Sequence, residues 1–277
     1  MTSATPRSVA IALGAGGSRG LAHIPVLEAL DELGVRPTAI AGASLGALIG
    51  AGYAAGMPAK EIRAYVVGLL RDRGEVMRRL LSVRVGRVVD LLATGNPVLA
   101  DAEGFVERFL PANIPLEFSA LPTPLVTVAT DFWQRKEVVI GSGRLRSALA
   151  ASIAVPGLFR PVEREGRVLV DGGTTNPLPF DLLRGKADIV VAVDVTGGPT
   201  HRSGDIPSPF EALFATIGIM AHAIVGEKLK SGAPEILLQP NVSAFGMLDF
   251  FRATPILRAS EPIKDEVKSK LGALLEL

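Results

Sequence analysis

The sequence predicts an α/β fold: a three-layer sandwich in which a mainly parallel central sheet lies between helices on both faces. Short, continuously apolar segments, such as VAIAL at residues 9–13, are typical of strands buried on both faces. Segments with apolar residues at helical spacing alternate with these strands along the chain. Glycine-rich turns directly follow predicted strands, where α/β proteins place their ligand sites. We expect one domain over residues 1–277, with motifs at about 9–196 and a helical extension at about 210–277.

Length, charge and cysteine content exclude several classes of function. The 277 residues are 48% hydrophobic, which is enough for a sizeable core. The formal net charge is +1, whereas a nucleic-acid-binding domain is normally clearly basic. The absence of cysteine excludes disulfides, thiolate metal sites and cysteine nucleophiles. The N-terminal stretch lacks a secretory apolar region and cleavage site, so we expect a cytoplasmic protein.

The first predicted strand, residues 9–13, runs into a glycine loop at residues 14–20, and a helix follows that ends near Gly34. Such a loop presents free backbone N–H groups to an anion, either a phosphate or an oxyanion. A dinucleotide-binding fingerprint would need glycine where Arg19 stands, and no Walker lysine follows the loop. Because neither nucleotide-binding motif fits the loop, an oxyanion site is the favoured interpretation.

The second predicted strand ends in the sequence Gly42-Ala43-Ser44-Leu45-Gly46, and a helix-forming run begins at once. This strand–turn–helix context is typical of a nucleophile elbow, in which larger neighbours than glycine would collide with nearby atoms or with substrate. The alternative is a glycine-rich helix start capped by Ser44. Residues 37–59 carry no charge and are long enough to span a membrane, but a strand followed by a buried helix explains them.

An arginine-rich segment at residues 60–92 follows the elbow helix. Its basic residues alternate with apolar ones and are Arg71, Arg73, Arg78, Arg79, Arg84 and Arg87. One interpretation is peripheral contact of residues 71–87 with the inner face of a membrane. The other, which we weight more, is a solvated helix face. Residues 94–121 predict loops around one short helix, at the substrate entrance.

Five further strands and two further helices are predicted after this segment. The later strands are predicted at residues 124–129, 137–140, 167–170, 189–195 and 235–238. A small-residue helix is predicted at residues 145–155, and the uncharged run at residues 212–226 predicts a buried core helix. The strand at 167–170 stops at Asp171-Gly172-Gly173, the third turn that fits a site.

A serine nucleophile needs a base, and the candidates are few. Of the three histidines, His23 lies early in the first helix, His201 in a polar loop and His222 in an apolar helix. His201 fits the chain order of an α/β-hydrolase triad only by default. Asp171 is the better base, because two glycines leave its carboxylate unobstructed, although an ordinary Asp-Gly turn explains the same residues.

Four ordered motifs together resemble the patatin-like phospholipases. These are the glycine motif with LAHI at residues 15–24, the elbow at 42–46, ASIAVPGLFRP at 151–161, and DGG at 171–173 followed by Asn176-Pro177. The resemblance covers residues 9–196. Two positions depart from the family pattern, since Ala15 replaces the first glycine and Pro25 stands where glycine is usual.

The resemblance implies a Ser–Asp dyad on a patatin-like α/β sandwich, with Ser44 as the nucleophile and Asp171 as the base. It implies an oxyanion hole at the backbone N–H groups of Gly16, Gly17 and Ser18, a supporting Arg19, and a non-catalytic His23. The remaining supporting motif residues are Gly20, Gly42, Gly46, Gly172 and Gly173.

The substrate implied by the resemblance is an acyl lipid or ester, and no metal or cofactor is required. Two other hypotheses stay open from the sequence. The first is a non-catalytic or regulatory lipid-binding protein on the same fold, which the intact Ser44 and Asp171 disfavour. The second is nucleotide binding at the glycine loop, which Arg19 disfavours.

Overall fold

The computed structural model describes residues 7–83, 100–197 and 206–276. Eight strands form one sheet: β1 (Val9–Leu13), β2 (Ala39–Ala43), β3 (Leu125–Asp131), β4 (Lys136–Ile140), β5 (Val162–Arg164), β6 (Arg167–Asp171), β7 (Ile189–Val193) and β8 (Ile236–Leu238). The strand order is β5-β6-β3-β2-β1-β7-β8, and β4 also pairs with β3.

Five adjacent strands, β3-β2-β1-β7-β8, are parallel, which agrees with the predicted mainly parallel sheet. The pairs β3–β4, β3–β6 and β5–β6 are antiparallel. Strand β5, which was not predicted, is only three residues long and gives too short a pattern to recognise.

Nine helices belong to the described part of the chain: α1 (His23–Glu32), α2 (Leu45–Ala54), α3 (Ala59–Arg71), α4 (Arg73–Ser82), α5 (Ala102–Phe109), α6 (Leu145–Ser152), α7 (Pro209–Lys230), α8 (Ala253–Ser260) and α9 (Ile263–Leu275). Short 3₁₀ turns occur at Gly17–Ala22, Phe118–Ala120, Gly172–Thr174, Phe180–Leu183 and Phe250–Arg252.

The two faces of the sheet bury different cores, which is the three-layer arrangement predicted. Side chains alternate along a strand, so Ile11 and Leu13 of β1 enter the larger core with α1, α2 and α6. Ala10 and Ala12 point to the opposite face and pack with the turn at Phe180–Leu183 and with Val225 of α7. Small side chains on this second face let α7 and the turn lie close to the sheet.

Helix α7 corrects the expectation of a buried core helix at residues 212–226. It is 22 residues long, and only 22% of its apolar window is buried. Among the described residues it is the one helix long and apolar enough to cross a membrane by length and composition. By contrast, residues 37–59 form β2 and the buried ten-residue helix α2, as expected.

The described part of the arginine-rich segment, residues 60–83, contains two helices. Asp72 separates α3 from α4, and its carboxylate accepts a hydrogen bond from the N–H of Glu75 at 3.0 Å, which caps α4. Arg84 and Arg87 lie outside the described residues, as does His201. The short helix expected within residues 94–121 is α5.

Candidate active site

Ser44 occupies the sharp turn between β2 and α2. Its backbone has φ 54° and ψ −126°, a conformation that L-residues rarely adopt. The Ser44 N–H donates to the hydroxyl of Ser152 on α6 at 3.0 Å, and the Ser44 carbonyl accepts the first helical bond from Ala47 at 2.9 Å. These contacts hold the strained residue in place, with its side chain 6% exposed.

The glycines on either side of Ser44 are required by close packing, as predicted. A Cβ atom on Gly42 would lie 2.6 Å from Ala47 Cα. A Cβ atom on Gly46 would overlap the carbonyl group of Leu13, at the end of β1. Helix α2 therefore starts directly against the neighbouring strand, which no other residue at position 46 would allow without movement.

Asp171 is the last residue of β6 and is 6% exposed. Its Oδ1 atom accepts a hydrogen bond from the N–H of Gly173 at 2.7 Å. Its Oδ2 atom is buried and has no hydrogen-bond partner within the described residues. Burial raises the pKa of Asp171 to about 6. The side chain of Ser44 and the N–H of Gly173 oppose this rise in pKa, because both lie beside the carboxyl group. Ser44 and Asp171 nevertheless form no hydrogen bond of regular geometry.

The sheet register explains how Asp171 reaches Ser44. We expected all three site turns at the carboxyl ends of parallel strands, but β6 is antiparallel to β3. Asp171 pairs with Ala129, and the preceding residue Val128 pairs with Ala43, which comes directly before Ser44. The end of β6 is thus level with the end of β2, with β3 between them.

The glycine loop offers fewer free donors than the resemblance implies. The N–H of Ser18, the third donor that the resemblance implies, donates to the carbonyl oxygen of Met247 at 2.8 Å, so in this structure it is already used. No hydrogen bond in the described ranges uses the N–H groups of Gly16 or Gly17. Gly17 has φ +58°, and a Cβ atom there would overlap the Met247 carbonyl. Gly16 and Gly17 remain the candidate donors.

Two buried basic side chains hold the loop by its carbonyl groups. Arg19 is 2% exposed and donates to the carbonyls of Gly16, at 3.3 Å, and Gly197. Burial lowers the pKa of Arg19 to about 10, while Asp194 opposes this. His23 Nε2 donates to the Gly14 carbonyl at 2.8 Å.

The two histidines in the described part of the chain, His23 and His222, have other partners than Ser44 and Asp171. Burial lowers the pKa of His23 to about 4, so its ring is neutral and positions the loop. His222 lies on α7, and its Nδ1 is 3.3 Å from the hydroxyl of Thr196. Neither lines the cavity that contains Ser44.

Ser44 lines a cavity of about 580 Å³, within the range of small-molecule and lipid sites. Helices α2 to α5 supply most of its wall, with the residues 153–159 turn, the start of α7, and residues 247–251. The wall is almost entirely apolar and includes Leu48, Val66, Phe105 and Phe159. The wall also includes Phe109, Leu110 and Pro111, in the region where we expected the substrate entrance.

Sequence reasoning missed two contributors to the site. Ser152 is fully buried and lies within the ASIAVPGLFRP motif. The motif indicated that this segment is important, but not that the Ser152 hydroxyl accepts a hydrogen bond from the Ser44 N–H. Met247 is distant in sequence and lies in no motif, so nothing pointed to its bond with Ser18. Among residues 7–83, 100–197 and 206–276, no group of three or more His, Asp or Glu residues has the arrangement of a metal site.

The chain is similar to known proteins in both sequence and fold. A family model described as "Patatin-like phospholipase" matches residues 11–184. An uncharacterised NTE family protein of Mycobacterium tuberculosis is 37% identical over 204 residues, which cover 73% of this chain and 53% of the relative. The rat patatin-like phospholipase domain-containing protein 7 is 29% identical over 195 residues, which cover 69% of this chain and 14% of the relative.

Among solved structures, VipD from Legionella pneumophila matches with a TM-score of 0.51 and 14% identity, covering 95% of this chain and 67% of VipD. These values establish similarity of fold alone. The chain spans about half the length of the mycobacterial relative.

Proposed function

The chain belongs to the patatin-like phospholipase family, and from this premise we propose that it is a serine lipid acyl hydrolase with a Ser44–Asp171 dyad. One observation carries the proposal: a strained, nearly buried serine lies in the wall of an apolar cavity, beside a buried carboxyl group with one unpartnered oxygen. An acyl chain matches the apolar wall of the cavity, and the ester group at the polar end of that chain would lie next to Ser44.

The reaction proceeds in two acyl-transfer steps. Ser44 Oγ attacks the ester carbonyl carbon while Asp171 Oδ2 accepts the hydroxyl proton. The N–H groups of Gly16 and Gly17 and the start of α2 stabilise the negative charge on the carbonyl oxygen. When the intermediate collapses, the C–O bond breaks and Asp171 protonates the leaving alcohol. Water then gives a proton to Asp171 and attacks the acyl-serine. As the bond between the acyl group and Ser44 Oγ breaks, Asp171 returns this proton to Ser44 and a fatty acid is released.

A carboxylate is normally too weak a base for this role. The burial that raises the pKa of Asp171 to about 6 makes it a stronger proton acceptor while leaving it mostly ionised at neutral pH. Substrates in this proposal are the carboxylic esters of phospholipids, lysophospholipids or simpler acyl compounds. The proposed location is the cytoplasm, with peripheral contact at the membrane through the exposed arginines of α3 and α4.

The test combines covalent labelling with hydrolysis. We expect a fluorophosphonate probe to label the wild-type protein at Ser44, and Ser44→Ala and Asp171→Asn to lower ester hydrolysis by at least about 10³-fold. Matched controls are the exposed substitutions Ser142→Ala and Asp265→Asn, which should keep wild-type rates. Folded Ser44→Ala protein that hydrolyses esters at the wild-type rate would contradict the dyad. A wild-type protein that binds lipid but neither labels nor turns over would support the lipid-binding alternative.

A further inference from the structure

Helix α7 presents a wide apolar face to solvent. Its buried side is a narrow stripe of Phe214, Gly218, Ala221 and Val225. The exposed large apolar residues of α7 are Phe210 (54%), Leu213 (49%), Ile219 (68%) and Met220 (53%). No charged residue occurs between positions 211 and 227. A contiguous exposed apolar surface of this kind is typical of an interaction site.

Helix α7 contacts the body of the protein through its buried stripe and through its C-terminal end. At its C-terminal end, Lys228 Nζ pairs with Asp181 and donates to the Leu178 carbonyl at 3.1 Å. At its N-terminal end, Ser208 and Glu211 form a reciprocal capping box. The exposed face can therefore lie against a surface while the buried stripe keeps its contacts.

The exposed face continues into the rim of the active-site cavity. Phe210 and Phe214 of α7 line the cavity, and Leu213 packs at Gly157, which lines it too. On α4, Val76 and Leu80 line the same cavity. Their neighbours Met77 and Leu81 are 45% and 53% exposed. Exposed apolar side chains thus adjoin the cavity on two separate elements.

Arginines accompany this apolar rim. The Arg73 guanidinium lies 5.1 Å from the ring centre of Phe251, which lines the cavity and is 37% exposed. Arg252 lies over the buried ring of Phe245, at 4.8 Å, and pairs with Asp249 at 3.2 Å. Apolar side chains next to arginine match a bilayer, which offers hydrocarbon beside anionic phosphate. A second copy of this protein would place arginine opposite arginine, so it matches this surface less well than an anionic bilayer does.

We propose that the exposed face of α7, with the Met77–Leu81 edge of α4, docks on a bilayer that contains anionic phospholipid. This inference rests on the proposed function in one respect: docking places the cavity rim where acyl chains can enter it. Ile219 and Met220 lie outside the cavity wall, so they contribute to docking and not to the reaction.

The test measures vesicle binding apart from hydrolysis. Binding is followed by flotation with phosphatidylcholine vesicles, with and without phosphatidylglycerol, in the Ser44→Ala background. We expect the double variant Ile219→Gln/Met220→Gln to bind about tenfold more weakly, because glutamine keeps the helix but removes the apolar surface. We expect Arg73→Gln to weaken binding about fivefold, and only when phosphatidylglycerol is present. The matched control is Leu116→Gln/Val139→Gln, at exposed apolar positions elsewhere, which should bind like the parent.

Two further measurements separate the outcomes. With Ser44 intact, the Ile219→Gln/Met220→Gln variant should hydrolyse a soluble short-chain ester at the wild-type rate and lose activity only on vesicles. Vesicle binding equal to that of the control variant would overturn the docking proposal. The docking proposal would also be overturned if the wild-type protein sediments as a dimer, and the Ile219→Gln/Met220→Gln variant sediments as a monomer with unchanged vesicle binding. A wild-type protein that hydrolyses neither a soluble ester nor the vesicle phospholipid, yet binds vesicles through Ile219 and Met220, would overturn the proposed function and support docking.

Discussion

At the scale of single residues, the proposed chemistry depends on how Asp171 is solvated. Its carboxyl group keeps one hydrogen bond, from Gly173, and loses water on the other oxygen. An ionised carboxylate in this position is costly, which is why its pKa rises to about 6. The same feature has a catalytic and a thermodynamic consequence, and each can be measured.

The catalytic consequence is a pH dependence. Asp171 must be ionised to accept the Ser44 proton, so kcat/KM for a soluble ester should rise with pH through about 6 and level off above it. The measurement is initial rates between pH 4.5 and 8 at low substrate concentration, a window chosen to span roughly two units around that value. If a histidine were the base, kcat/KM would rise through the pKa of that histidine and not through that of Asp171. A rate that does not depend on pH across this window would exclude Asp171 as the base.

The thermodynamic consequence is that Asp171 destabilises the folded state at neutral pH. Its pKa is about 6 when folded against 3.8 for the ordinary group, so the folded state binds the proton more tightly and loses stability as pH rises through this interval. Asp171→Asn should therefore raise the free energy of unfolding by about 2–3 kcal/mol at pH 8 and progressively less toward pH 4.

Urea unfolding of both proteins at pH 5 and pH 8 measures this gain. Asp265→Asn, at an exposed position on α9, separates the effect of burial from that of removing a charge. A gain that does not grow with pH would show that the asparagine acts by another route.

At the scale of secondary-structure elements, the elbow is fixed by its neighbours. Helix α6 supplies Ser152 to the Ser44 N–H, and β1 supplies the carbonyl against which Gly46 packs. The strain at Ser44 costs of the order of 1–3 kcal/mol, and these neighbouring elements compensate for it. The apolar composition of α2 then buries the helix beneath the site.

Two glycines of α2 provide a matched pair of substitutions. Gly46→Ala should destabilise the protein by at least about 2 kcal/mol and lower activity, because its methyl group would overlap the Leu13 carbonyl. Gly52→Ala, in the same helix, meets nothing closer than Ile62 Cδ1 at 3.5 Å and should stabilise by about 0.5–1 kcal/mol through helix propensity. Thermal unfolding of both variants measures the difference. Equal shifts for the two would show that close packing at Gly46 is unimportant.

At the scale of the whole molecule, the sheet brings three turns together and the helices around them enclose the cavity. Helices α2 to α5 and the start of α7 come from separate parts of the chain, and each gives apolar side chains to one wall. The cavity volume, about 580 Å³, should limit the length of acyl chain that reaches Ser44.

Narrowing the cavity should therefore change chain-length preference. Val66→Trp places a large ring on α3 in the cavity wall, and we expect hydrolysis of a palmitoyl ester to fall at least about tenfold relative to a butyryl ester. Val139→Trp, at an exposed position on β4, is the control and should leave the ratio unchanged. The ratio comes from kcat/KM for the two esters. An unchanged ratio in folded Val66→Trp protein would show that the acyl chain lies elsewhere.

Local patterns in the sequence were sufficient to predict much of the fold and the candidate residues. The sequence pattern identified seven of the eight strands in the described part of the chain. The signal was clearest for strands such as β1 and β7, which are buried along their whole length and are therefore apolar throughout. Short motifs placed Ser44 and Asp171 at turns, because glycines next to a functional residue mark a backbone that approaches its neighbours closely. Their catalytic roles stay a prediction.

Only the tertiary structure decided how these pieces face one another. The antiparallel direction of β6, and the register that sets Asp171 level with Ser44, depend on pairing between strands distant in the chain. The bond from Ser18 to Met247 joins residues with no pattern in common. Helix α7 shows the limit most clearly, because hydrophobicity tells which side chains would gain by burial, while the arrangement of the other elements decides which of them are covered.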